Sequence, residues 1–81
     1  MKEQKIVVKK NLDPQSVSVI VQTANQYKSH ISLMVDESRA NAKSIMGLIS
    51  LSAIIKDSLT IMADGEDEQE AIIALKELFG G

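Results

Sequence analysis

At 81 residues, 44 % of them hydrophobic and 25 % charged, the chain has the composition of an ordinary soluble domain and room for one domain only. The absence of cysteine excludes disulfide staples and thiolate metal sites and fits a reducing cytosol. A net charge of −2 and an aromatic content of 2 % argue against a nucleic-acid binder with base-stacking platforms and against an anionic-membrane binder.

Charge is spread unevenly. Lys2, Lys5, Lys9 and Lys10 crowd the start, whereas Asp57, Asp64, Glu66, Asp67, Glu68, Glu70 and Glu77 face the single Lys76 towards the end. Both runs read as solvated faces. Residues 1–10 are too polar for a signal peptide. The longest apolar run, Ile45 to Ile55, is broken by Gly47, Ser50 and Ser52 and falls short of the roughly 20 residues that span a bilayer. The expectation is a cytoplasmic chain forming one domain over residues 1–81.

Ile6-Val7-Val8 is β-branched and flanked by lysines, which predicts a short strand. Asn11-Leu12-Asp13-Pro14 predicts a turn and then a helix, because Asp is a strong N-cap and Pro suits the first helical position. Val17, Ile20, Val21, Ala24 and Tyr27 continue at helical spacing. Ile31, Leu33 and Val35 alternate with Ser32 and Met34, as in a half-buried strand. Asp36-Glu37 is a tight turn, and Arg39-Ala40-Asn41-Ala42 is the returning strand despite poor propensity.

Lys43-Ser44 signals a helix start over Ile45 to about Leu51, a region apolar nearly all round. Leu59, Ile61 and Ala63 alternate in a further strand. Glu66-Asp67-Glu68 reads as the acidic first turn of a last helix, not a metal site, and that helix carries Ala71, Ile72, Leu75, Leu78 and Phe79 to a Gly80-Gly81 end. The order βαββαβα predicts an α+β open-faced sandwich, with a four-stranded antiparallel sheet covered on one face by three helices.

Three segments, Val19-Ile20-Val21-Gln22-Thr23-Ala24, Asn41 through Leu51 with Lys43-Ser44-Ile45-Met46-Gly47 at its centre, and Gly65-Glu66-Asp67-Glu68-Gln69-Glu70-Ala71, resemble HPr, the phosphocarrier of the bacterial sugar phosphotransferase system. The resemblance runs the full length and implies the same fold. It also implies that the family's phosphocarrier His, in Gly-Ile-His-Ala-Arg-Pro, is replaced here by Asp13, and its Arg by Gln15. Phosphohistidine transfer needs an imidazole nucleophile and cations to receive the phosphate, and these two residues supply neither. His30, the only His, lies in the turn leading to the second strand and reads as structural. Loss of the His with retention of the Ser resembles the Crh group of HPr-like proteins, although that group has Gln at the His position.

Taken alone, Ser44 is a helix cap. The resemblance adds phosphorylation by an HPr kinase/phosphorylase and a corepressor role with catabolite control protein A, a LacI-type regulator. A phosphate of about −1.5 to −2 charges would meet free N–H groups and the helix dipole there, with Lys43 helping to screen it. Ile45, Met46 and Ile49 cannot all be buried in so small a domain, so with Lys43, Ser44, Asp13 and Gln15 they form the expected partner surface. Two alternatives stay open: a carrier using Asp13 as acyl-phosphate acceptor, or an unmodified decoy that occupies HPr partners. No cofactor, catalysis, metal or direct nucleic-acid contact is expected. A homodimer, formed by strand exchange at the Lys-rich first strand, is compatible with the sequence.

Overall fold

In the computed structural model, which describes residues 1–10 and 12–80, the chain runs β1 (Lys2–Val7), α1 (Pro14–Ala24), β2 (His30–Val35), β3 (Ser38–Asn41), α2 (Ile45–Ser52), β4 (Ser58–Asp64) and α3 (Glu68–Leu78). The four strands form one antiparallel sheet in the order β1-β4-β2-β3. The βαββαβα order and the helix-covered sheet are those expected.

Register explains why one face is wet. The row Ile6–Leu59 and the row Ala63–Ile31 point inward, and all four residues are buried. Lys5 pairs with Thr60, Thr60 with Met34, and Met34 with Arg39, so this outward row crosses the whole sheet, and none of its residues is buried. Period-two alternation thus separates a core face from a solvent face in β2 and β4.

The helices close the inner face with Val17, Ile20, Val21 and Ala24 from α1, Leu48 and Leu51 from α2, and Ala71, Ile72 and Leu75 from α3. These residues and the inward strand residues make one continuous core. No helix among the described residues is long and apolar enough to cross a membrane.

Several boundaries differ from the sequence reading. β1 begins at Lys2 and ends at Val7, so most of its length is polar and only Ile6 of it is buried. Pairing to β4, not its own pattern, makes it a strand. Val8 lies beyond it, where its N–H donates to the Asp57 carbonyl at 2.8 Å. His30 is not in the turn but is the exposed first residue of β2. Tyr27 lies beyond α1, half-buried against the core. Phe79 follows the last turn of α3 and is completely buried. Ala42 falls just past β3. Asn11 and Gly81 lie outside the described residues.

The acidic segment before α3 is the main correction. Only Glu68 is helical, while Glu66 and Asp67 precede the helix. Asp67 stands at the N-cap but makes no side-chain bond to α3. Its carboxylate instead accepts the N–H of Lys28 at 2.8 Å and the N–H of Ser29 at 2.9 Å, and also the Ser29 hydroxyl. These bonds hold its pKa below the ordinary carboxylate value, with the Ser29 hydroxyl the main cause. Glu68 accepts the Gly65 N–H at 3.2 Å, the leading cause of its own lowered pKa.

Candidate functional site: the N-terminus of α2

Ser44 stands at the N-cap of α2 in extended backbone, φ −109° and ψ 116°. Its hydroxyl oxygen accepts the Gly47 N–H at 3.2 Å, and its carbonyl accepts the Leu48 N–H at 3.0 Å. The residue is half-buried and not sealed in the core. A short polar residue in β-region backbone that hands its oxygen to a free amide is what starts a helix in water.

Asn41 sets up this start. Its side-chain oxygen accepts the Lys43 N–H at 2.9 Å, and its carbonyl accepts the Ser44 N–H at 3.0 Å. The sequence reading placed Asn41 in the returning strand and at the start of the HPr-like segment, with no role in starting α2. The signal for it was an Asx turn, Asn followed two residues later by a free amide.

Beyond Ser44 the exposed side of α2 is apolar. Met46 is 80 % exposed, Ile49 52 % and Ile45 46 %. The same helix buries Leu48 and Leu51, so an element apolar all round divides its side chains between core and solvent. No acidic residue stands in its first turn, so an added anion meets backbone N–H groups without a neighbouring carboxylate to repel it.

Lys43 is placed differently from the expectation. Its ammonium donates to the Tyr27 carbonyl at 2.7 Å, in partly buried surroundings. In the unmodified chain it is tied to the end of α1, not poised over Ser44.

Asp13 caps α1 as predicted. Its carboxylate accepts the Ser16 N–H at 2.8 Å, Pro14 occupies the first turn, and the Asp13 carbonyl accepts the Val17 N–H at 3.0 Å. The Ser16 N–H is the main cause of a carboxyl pKa below the ordinary value. Asp13 and the exposed Gln15 line an open cavity of about 270 Å³ with Lys10, Val19 and Leu78.

These residues are not beside Ser44. Lys43 reaches Tyr27, past the C-terminal end of α1, while Leu12, before its N-terminal end, shares a cleft with Ser52 and Ile55 at the far end of α2. The two helices therefore run in opposite senses. Asp13 and Ser44, which cap α1 and α2, therefore lie at opposite ends of the helix pair.

The family model for the phosphotransferase-system HPr component phosphorylation site matches residues 1–80. The chain belongs to the HPr family. It is 43 % identical over 74 residues to the HPr-like protein Crh of Bacillus subtilis, covering 89 % of this chain and 87 % of that protein. The crystal structure of HPr from Thermoanaerobacter tengcongensis matches with a TM-score of 0.88 at 39 % identity, over 99 % of this chain and 92 % of that one. A crystal structure of Bacillus subtilis Crh, described as a swapped, intertwined dimer, matches with a TM-score of 0.75 at 39 % identity, over 99 % of this chain and 94 % of that one.

Proposed function

We propose that this HPr-family chain is a cytoplasmic regulatory protein, not a phosphohistidine carrier. An HPr kinase/phosphorylase phosphorylates Ser44, and the phosphorylated chain acts as corepressor of a LacI-type regulator similar to catabolite control protein A. One observation carries this reading: the Ser44 hydroxyl caps α2 from a half-buried position, with exposed Ile45, Met46 and Ile49 on the helix it starts.

The chemistry follows from that position. A phosphate on the Ser44 oxygen replaces one weak acceptor by three strong ones over unsatisfied N–H groups. The added charge suits the helix dipole, so the fold is retained. The regulator supplies cations for the phosphate and an apolar pocket for Met46 and its neighbours. An unbranched thioether adapts readily to such a pocket.

The arrangement at Asp13 supports the loss of carrier function. Its carboxylate is occupied in capping α1, and its lowered pKa reflects that bond. With Asp13 in place of the histidine and Gln15 in place of the arginine, the position has neither the imidazole nucleophile nor the guanidinium of a phosphohistidine site, although Lys10 lines the same cavity. The chain is therefore proposed to be non-catalytic and to need no cofactor. A homodimer belongs to the proposal, by analogy with the Crh dimer and with β1 lying at a sheet edge.

Binding to the regulator, measured by titration calorimetry with phosphorylated, unmodified and Ser44→Ala chains, tests this function. The phosphorylated chain is expected to bind at least about tenfold tighter than the other two, as charge-assisted contacts to phosphate require. Equal binding of all three would leave the decoy reading in its place.

A further inference from the structure

The turn between α1 and β2, residues 25–29, is held from two sides. On one side the Asp67 carboxylate, just before α3, takes the Lys28 and Ser29 amides at 2.8 and 2.9 Å. On the other, the Lys43 ammonium donates to the Tyr27 carbonyl at 2.7 Å. The last turn of α1 contains no basic residue. Lys43 thus brings a cation from across the fold to a turn carbonyl three residues beyond the C-terminal end of α1.

Lys43 also immediately precedes Ser44. Its partner in the unmodified chain is a neutral carbonyl, which attracts an ammonium as a dipole does. A phosphate on Ser44 would offer nearly two full charges and three acceptor oxygens on the adjacent residue. The Lys43 stem is flexible and its ammonium is a compact charge that can pivot between partners.

We infer that Lys43 is a two-position cation, which closes the α1–β2 turn on the Tyr27 carbonyl in the unmodified chain and moves to the Ser44 phosphate after modification, loosening that turn. This deepens the phosphorylation reading of Ser44 and rests on it. The modification then has two readouts: a new anion at the start of α2, and a freed turn at the end of α1. The Asp67 clasp keeps the turn from detaching, so the change is local and graded.

The test uses full-length chain with phosphoserine placed at position 44 by synthesis or by translation, with no kinase involved. NMR follows the Tyr27 carbonyl carbon and hydrogen exchange of the amides at residues 25–29. Phosphorylation is expected to shift the Tyr27 carbonyl resonance and to speed exchange there by about threefold, the scale of losing one modest hydrogen bond that holds the turn. Lys43→Met in the unmodified chain should reproduce both effects, and phosphate should add nothing further to that variant. Lys43→Arg should retain the coupling.

An unchanged Tyr27 carbonyl in the phosphorylated wild-type chain overturns the inference, and this comparison needs no variant to fold. A further shift on phosphorylating the Lys43→Met chain overturns it as well. Either result leaves the kinase question untouched. Refusal of Ser44 by the kinase, conversely, would not alter this measurement.

Discussion

Asp67 and Ser29 are 38 residues apart in sequence, yet the Asp67 carboxylate accepts both the backbone N–H and the hydroxyl of Ser29. Ser29 is only 1 % exposed and is the one polar residue among the buried set of described residues. The pair therefore satisfies a buried hydroxyl while fixing the α1–β2 turn to the start of α3. Ser29→Ala is expected to cost roughly 1–2 kcal/mol. For a domain of this size that lowers Tm by several degrees in a thermal melt. An unchanged Tm would show that the Ser29 hydroxyl contributes nothing to the clasp.

The same clasp sets an acid limit. Asp67, Asp13 and Glu68 all have folded-state pKa values below their ordinary ones, through hydrogen bonds from Ser29, Ser16 and Gly65 respectively. A depressed carboxylate pKa stabilises the fold above the unfolded-state value, near 4, and that stability is lost as pH falls through the folded-state value. Denaturant midpoints should be level from neutral pH down to about 5 and fall below about 4. Asp67→Asn should flatten that fall while lowering the midpoint at neutral pH. A midpoint that rises on acidification would contradict the assignment.

Two glycines should respond to alanine in opposite ways. Gly65 has φ +159°, and a Cβ there would lie 2.7 Å from the Ser29 Cα, closer than backbone can yield. Gly65→Ala should therefore destabilise by about 2 kcal/mol or more and weaken the neighbouring clasp. At Gly47, inside α2, a Cβ would meet the Ser44 Oγ at 3.4 Å, an ordinary contact. Gly47→Ala should stabilise by up to about 1 kcal/mol through helix propensity and leave modification of Ser44 unimpeded. Paired denaturant melts and a kinase time course check both.

The exposed apolar side of α2 should matter to a partner and not to the fold. Met46 is 80 % exposed, so Met46→Glu is expected to leave Tm within about a degree, as surface changes usually do. Regulator binding by the phosphorylated chain should weaken by about tenfold or more, as when an apolar anchor is replaced by a charge. Unaltered binding would move the partner surface elsewhere.

Much of this architecture was legible because local and global signals agreed. Asp13-Pro14 starts α1, and the alternation of Ile31, Leu33 and Val35 gives β2 its buried face. Asp36-Glu37 turns the chain with Asp36 at φ 54°, a conformation that Asp tolerates better than most residues. What escaped the sequence is non-local. Lys2 to Lys5 show no strand pattern, because an edge strand paired to β4 leaves most of its side chains in water. Asp67 looks like a helix-start acid, and its partners are a turn far away in sequence. Lys43 stands next to Ser44 in the chain, and nothing local reveals that its ammonium is held by Tyr27. Position along the chain pointed to the candidate site, but long-range hydrogen bonds determine how its charges are held.

The most direct measurement is incubation of the intact chain with an HPr kinase/phosphorylase and ATP, followed by mass-spectrometric mapping. A single phosphate on Ser44, absent from the Ser44→Ala chain, is the predicted result. No phosphate, or a phosphate on any other residue, would contradict the account.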